Sequence, residues 1–128
     1  VAILPPRHAL ASHKLLTPKL LGPHPMVMPA RSHQVPNRIR GVFSAVCASV
    51  NAVVEAEFFA SLCGLVAAGA GWSIVDPLSA RSFEHLGLVT RPFEPAVTYD
   101  IGAFHRRGRE PSVLATAFLD MLDDKLKG

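Results

Sequence analysis

Polar and charged residues stand where three predicted strands give way to helices. Arg31 and Ser32 belong to the first of these junctions. Glu57 and Phe58 begin the second, and Asp76 stands at the third. Free backbone N–H groups at a helix N-terminus attract anions, and an arginine adds a charge-assisted hydrogen bond. These residue types at these places predict a site for a carboxylate or another small anion.

The three junctions are expected to lie at one edge of a sheet. In an open α/β sheet, ligands bind in the crevice outside the carboxyl ends of the strands. Each junction taken alone is also what an ordinary helix cap would look like. The three together predict a cleft at that edge.

The glycine-rich run that contains Gly69 and Gly71 invites comparison with a phosphate-binding loop. A dinucleotide fingerprint needs a strand, then the glycines, then a helix, because the helix N-terminus must face the phosphates. Here a helix precedes the glycines and a strand follows them. The order predicts a helix C-terminus, where glycine is used for its left-handed conformation.

No pattern of catalytic or metal-binding residues is recognisable. The six histidines do not pair with another His or Cys at helical spacing, and neither His-Glu-x-x-His nor Gly-x-Ser-x-Gly occurs. We expect no metal, no cofactor and no catalysis, although a triad assembled in space would leave no local signature. Arg106, Arg107 and Arg109 fit either a solvated loop or a contact with an anion.

The elements that must position the junctions alternate along the chain, which is typical of an α/β sheet. Strands are predicted at residues 1–4, 26–28, 51–56, 72–75, 88–89 and 97–105. Helices are predicted at residues 17–21, 36–49, 58–68, 77–83 and 111–127. Helical spacing predicts a buried stripe in the third helix, formed by Phe58, Leu62, Leu65 and Val66. The last helix has a stripe formed by Leu114, Phe118, Met121 and Leu122.

The composition predicts one domain with apolar surface to spare. Of the 128 residues, 49% are apolar and 18% are charged, and the net charge is +3. This length allows one hydrophobic core, and the apolar surplus predicts self-association or another partner. No block of Lys and Arg resembles a nucleic-acid arm, and no apolar stretch is long enough to span a bilayer.

The cysteines indicate the cellular compartment, and the first residue indicates whether the chain is part of a longer protein. Cys47 and Cys63 both lie on apolar stretches predicted to be helical, so we expect buried free thiols in a reducing compartment, the cytoplasm. The chain opens on Val1 within an apolar run, with no Met and no leader. We therefore expect a fragment of a longer protein.

Four segments, in a fixed order, carry a family likeness. They are VAILPPRHALA at residues 1–11, TPKLLG at 17–22, LVAAGAGWSIV with the following DPL at 65–78, and LGLVTRPF at 86–93. The ordered set resembles the effector-binding domain of LysR-type transcriptional regulators. The likeness covers nearly the whole chain, and no single motif within it is diagnostic.

The resemblance implies an α/β fold of the periplasmic-binding-protein-like kind, with two lobes and a small-molecule effector in the cleft between them. Residues 1–96 would form the second lobe. Residues 97–128 would supply a crossover strand and a C-terminal helix that return to the first lobe. DNA is expected as a partner only through a winged helix-turn-helix in an N-terminal part that this chain lacks.

The resemblance also places the effector at the strand-to-helix junctions of the second lobe. The corresponding residues are Pro29, Ala30, Arg31, Ser32, Glu57, Phe58 and Asp76. Arg31 would meet a carboxylate and Glu57 an amine, so an amino-acid-like or carboxylate effector is expected.

The sequence thus predicts the effector-sensing domain of a bacterial regulator, active in the cytoplasm as a homo-oligomer and without a membrane partner. A solute-binding module of a transport system, built on the same fold, is the alternative. A small α/β enzyme is a third possibility, but the sequence shows no nucleophile paired with a base.

Overall fold

A computed structural model of the chain describes residues 1–31, 34–100 and 102–127. Its strands are β1 (Ala2–Leu4), β2 (Pro25–Pro29), β3 (Asn51–Ala56), β4 (Ser73–Ile74) and β5 (Val89–Arg91). Its α-helices are α1 (Pro18–Leu21), α2 (Val35–Ser44), α3 (Phe59–Ala67), α4 (Pro77–Ser82) and α5 (Val113–Lys127). Short 3-10 helices lie at Ala9–Ser12 and Glu84–Leu86. The predicted alternation of strands and helices is confirmed.

The strands form a three-stranded sheet in the order β4-β1-β5 and a two-stranded sheet of β2 and β3. β1 pairs antiparallel with β4 and β5, and β2 pairs parallel with β3. A parallel bridge between Met26 and Trp72 links the two groups, because the Trp72 N–H donates to Pro25 and the Val27 N–H donates to Trp72. β2, β3 and β4 therefore run in the same direction and end at the same edge.

Both faces of the sheet are buried, because successive strand residues point to opposite sides. In β2, Met26 and Met28 belong to one core cluster, whereas Val27 belongs to the other. The first cluster includes Phe43 of α2, and the second includes Leu62 of α3. Helices α2 and α3 thus cover opposite faces, and each places its N-terminus near the edge where β2, β3 and β4 end.

The glycine-rich turn between α3 and β4 has the structural role that its order predicts. Gly69 has φ +89°, and the Ala70 N–H donates to the Leu65 carbonyl, a common way to close a helix C-terminus. Gly71 lies so close to β2 that a Cβ there would stand 2.2 Å from the Pro25 carbonyl oxygen. The turn therefore brings β4 against β2.

Helix α2 is shorter than the predicted span of residues 36–49. It ends at Ser44, and Cys47 adopts φ +55°, the conformation in which glycine usually ends a helix. The Ala48 N–H then donates to the Phe43 carbonyl at 3.0 Å. The prediction failed because the apolar spacing continues past a stop that carries no glycine.

The two cysteines differ, so the prediction of two buried thiols is wrong for Cys47. Cys47 is exposed, because it stands in the turn that closes α2. Cys63 is buried in α3, and burial, with the nearby charge of Asp76, raises the pKa of its thiol.

Phe58 lies outside the buried stripe of the third helix, which is a second correction. Helix α3 begins at Phe59, and Phe58 is an extended capping residue that is 70% exposed. Leu62 and Val66 are buried as predicted, and Leu65 is half-buried. The prediction failed because a residue before the first turn does not follow the helical period.

The longest predicted strand, residues 97–105, forms no strand at its described residues. A strand needs a neighbouring backbone with which to exchange hydrogen bonds. The Thr98 carbonyl instead accepts a hydrogen bond from the Arg38 guanidinium. Alternating side chains predict an extended shape, but they do not supply the partner.

Helix α5 lies on the surface with no residue buried. Its predicted apolar stripe is largely uncovered: Leu114 is 83% exposed, Phe118 is 57% and Met121 is 58%. A helix with one apolar face normally buries that face against another element. The stripe of α5 is therefore a surface suited to a partner.

Candidate functional site

The carboxyl ends of β2, β3 and β4 meet at one edge of the sheet, as the three-junction hypothesis requires. The Ala30 N–H donates to the Ala56 carbonyl at 3.0 Å and ties the first two junctions together. Helices α2, α3 and α4 begin just beyond these strand ends. Their N-termini bring the partial positive charge of the helix dipoles to the same edge.

The Asp76 carboxylate accepts three hydrogen bonds at this edge. Its Oδ1 accepts from the Ser79 N–H at 2.8 Å and its Oδ2 accepts from the Ser79 hydroxyl at 2.6 Å, which caps α4. Burial alone would raise the pKa of Asp76, but the hydrogen bonds from Ser79 and Tyr99 favour the ionised form and lower it on balance. Asp76 is thus a fixed negative charge at the edge.

Tyr99 approaches Asp76 from the segment that was predicted to be a strand. Its hydroxyl donates to Asp76 Oδ2 at 2.9 Å. Burial, together with the hydrogen bond to the Asp76 carboxylate and its charge, raises the pKa of the phenol well above its usual range. Tyr99 therefore stays neutral and acts as a donor at any physiological pH.

Two hollows flank Tyr99 at the strand ends. The larger has a volume of about 410 Å³, and the smaller has a volume of about 370 Å³. Val35, the first residue of α2, and Tyr99 line both. Asp76, Leu78 and Leu126 line the larger hollow, while Arg38 and Asp100 line the smaller. Each offers an apolar wall with a few charged groups, the usual make-up of a small-molecule site.

The structure brings one of the sequence-predicted site residues, Asp76, into the wall of a hollow. Pro29 is buried at the end of β2 and Ala30 is half-buried beside it, whereas Glu57 and Phe58 are exposed. These four and Arg31 lie at the predicted junctions but line neither of the two hollows. Ser32 lies outside the described residues.

Arg31 carries a positive charge next to the edge. Its Nε lies 3.4 Å from Glu55 Oε1, and the two side chains are 83% and 40% exposed. An exposed ion pair of this kind is weak, so it can exchange its partner at little cost. Arg31 is therefore available to a carboxylate that approaches from solvent.

Sequence reasoning missed Tyr99, Arg38 and Val35, three residues that line the hollows. Tyr99 is the sole tyrosine of the chain, but its partner Asp76 is 23 positions away. The available signal was a single tyrosine within a predicted strand, and that signal does not identify the residue with which the tyrosine pairs.

The described residues also bear on membranes and metals. None of their helices combines the length and apolar character that a membrane crossing needs. Across the same residues, no three side chains among His, Cys, Asp and Glu are grouped so that they could hold a metal ion.

Two sequence comparisons with known proteins, one with family models and one with individual proteins, agree on a family. A family model described as LysR substrate binding domain matches residues 1–127. The transcriptional activator protein LysR of Escherichia coli (strain K12) is 33% identical over 118 residues, which is 92% of this chain and 38% of the relative. The chain thus spans about two fifths of that relative's length.

Solved structures give the same fold. The CcmR regulatory domain of Synechocystis PCC6803 in complex with 2-PG superposes with a TM-score of 0.73 at 18% identity, covering 95% of this chain and 60% of that one. The effector binding domain of QuiR in complex with shikimate gives 0.70 at 16% identity, covering 94% and 57%. The predicted periplasmic-binding-protein-like α/β fold is confirmed, and this chain corresponds to part of such a domain.

Proposed function

The chain belongs to the LysR substrate-binding domain family, and we propose that it senses a small-molecule effector for a DNA-binding transcriptional regulator. The observation that carries this proposal is the pair of hollows at the strand ends, where Tyr99 lines both and Asp76 lines the larger. Ligands of open α/β sheets bind at that edge. The matches given above are regulators, so they do not favour the transport alternative.

We propose that the effector is a small carboxylate that also carries hydrogen-bond donors, as an amino-acid-like compound does. Arg31 and the N-termini of α2 and α3 supply positive potential for the carboxylate. Asp76 and Glu57 supply acceptors for an ammonium or hydroxyl group. Shikimate, the ligand bound by QuiR, has both a carboxylate and hydroxyl groups, and it is therefore a reasonable probe.

We propose that residues 1–96 form the second lobe of a two-lobed domain and that residues 97–128 return to the first. The uncovered stripe of α5 supports this, because its exposed leucines, Phe118 and Met121 need an apolar partner. An effector held between two lobes would favour the closed arrangement and so alter the whole regulator.

The remaining parts of the proposal concern the whole protein. DNA binding would belong to an N-terminal part beyond this chain, and the regulator would act in the cytoplasm as a homo-oligomer. We propose binding without catalysis, since Asp76 is engaged as a helix cap and Tyr99 is held as a neutral donor.

A thermal-shift screen of the protein that carries this chain tests the proposal. The screen uses amino acids, shikimate and matched compounds that lack either the carboxylate or the donors. A ligand at one hundred times its Kd adds about 2.7 kcal/mol to the free energy of unfolding, which raises Tm measurably. Arg31→Ala should weaken the shift, while Lys14→Ala, a change of one charge in the loop after the first 3-10 helix, should not. The proposal fails if no carboxylate raises Tm.

A further inference from the structure

The segment at residues 97–100 crosses the candidate site without belonging to any regular element. It runs past the N-termini of α2 and α4, and its side chains contribute to both hollows. Among the described residues, two hydrogen-bonding contacts hold it to the lobe. The Arg38 guanidinium donates to the Thr98 carbonyl, and the Tyr99 hydroxyl donates to Asp76.

The two contacts differ in how firmly they are anchored. Asp76 Oδ2 already accepts from the Ser79 hydroxyl, so the carboxylate is fixed on the first turn of α4. Tyr99 is half-buried and packs against the larger core cluster. By contrast, Thr98 is exposed and contributes only a backbone oxygen. The Tyr99 contact is therefore the one that determines how closely residues 97–100 lie against the strand ends.

Tyr99, together with Val35, contributes to the walls of both hollows. Since it lines both, a ligand in either hollow would contact the segment that carries it. The larger hollow is also lined by Leu126 of α5, so the far end of the C-terminal helix shares this space. A shift of Tyr99 would change the shape of both hollows together.

We propose that Tyr99 is a positioning residue of the cleft, whose hydrogen bond to Asp76 latches residues 97–100 across the strand ends and holds in place a side chain that lines both hollows. The role in the cleft rests on the proposed function. The latch divides the site into two compartments, and its release merges them and frees the segment that leads towards α5. The high pKa of the phenol supports the latch, because it keeps the donor proton in place.

The chain offers a clean probe of the latch, because Tyr99 is its only tyrosine. Biosynthetic replacement with 3-fluorotyrosine gives one fluorine resonance that reports this ring alone. Its shift between H2O and D2O measures ring exposure, and its pH titration measures the ionisation of the phenol. Neither reading requires a ligand.

The test compares Asp76→Ser, Asp76→Asn and Ser82→Ala with the unmodified protein. Serine and asparagine both cap helices well, so α4 is retained. Serine is too short to reach Tyr99, and asparagine keeps an acceptor oxygen without the charge. Ser82 donates to the Leu78 carbonyl on the same helix, away from the latch, and its replacement is the matched control.

The latch predicts a graded response. Asp76→Ser should shift the ratio of latched to free Tyr99 by about tenfold, and both ring exposure and phenol ionisation should approach those of free fluorotyrosine. Asp76→Asn should give ring exposure and phenol ionisation between those of Asp76→Ser and the unmodified protein. Ser82→Ala should give the same two readings as the unmodified protein. The latch is disproved if Asp76→Ser leaves both readings where Ser82→Ala leaves them. A failed ligand screen beside a clear fluorine response would overturn the proposed function and leave the latch intact.

Discussion

At the scale of single residues, the contact between Asp76 and Tyr99 couples stability to pH on both sides of neutrality. Folding lowers the pKa of Asp76, so its contribution is complete above its ordinary pKa of about 3.9 and is lost as the pH falls through the lowered value. Folding raises the pKa of Tyr99, so its contribution is complete below about pH 10 and is lost as the pH rises towards the raised value.

Tyr99→Phe should therefore lower the free energy of unfolding by about 1 kcal/mol across neutral pH. The difference from the unmodified protein should shrink in acid, where Asp76 becomes protonated, and in alkali, where the phenol ionises. This difference in the free energy of unfolding is measured by urea denaturation at a series of pH values, followed through Trp72 fluorescence. A difference that does not shrink when the pH falls below about 4 or rises above about 10 would contradict the coupling.

The cysteines provide a second residue-scale prediction. Cys47 is exposed at the end of α2, whereas Cys63 is buried and burial raises its thiol pKa. Because the thiolate is the reactive form, Cys47 should react quickly with Ellman's reagent and Cys63 only as the protein unfolds. Cys47→Ser should remove the fast phase and Cys63→Ala the slow one. Equal rates for both thiols would be inconsistent with the fold.

At the scale of elements, the tight contact between the glycine-rich turn and β2 allows a matched pair of substitutions. Gly71→Ala should destabilise the protein by about 2–3 kcal/mol, because its Cβ would meet the Pro25 carbonyl oxygen at 2.2 Å and backbone must shift. Gly41→Ala, inside α2 with open space around it, should stabilise by about 0.5–1 kcal/mol. Both are measured by urea denaturation. Similar effects of the two substitutions would rule out the close approach.

The same elements show what the sequence could predict. Helix α4 was predictable, because Asp76 followed by Pro77 is a local start signal that the structure uses as such. The end of α2 was not, because Cys47 adopts a glycine-like conformation without being glycine. Local patterns reveal local structure, and a stop that tertiary packing imposes leaves no residue type to recognise.

The candidate site also has features that the sequence could predict and features that it could not. The three junctions were predictable, because a strand followed by a helix start is visible in the sequence and parallel strands end together. The hollows were not, because Tyr99 reaches Asp76 across 23 positions and through a segment whose pattern predicted a strand. The pairing of distant side chains depends on the path of the backbone. Local patterns in one sequence do not reveal that path.

At the scale of the whole molecule, the apolar surplus of the composition is concentrated on α5. Its exposed large apolar residues are Val113, Leu114, Phe118, Leu119, Met121, Leu122 and Leu126. An amphipathic helix with an uncovered face associates with whatever apolar surface is nearest. In a purified sample, the apolar surface available to α5 belongs to other copies of the chain. We therefore expect the chain to self-associate through α5.

Two single substitutions separate this cause from a general effect of charge. Phe118→Lys places a charge in the α5 stripe, and Phe58→Lys places the same charge at an exposed position before α3. Because both side chains are exposed, neither change should alter the free energy of unfolding by more than about 0.5 kcal/mol. At concentrations on the order of tens of micromolar, light scattering should show oligomers for the unmodified chain and for Phe58→Lys, and a shift towards monomer for Phe118→Lys. A clean monomer of the unmodified chain would refute self-association, and equal effects of the two substitutions would refute the role of α5.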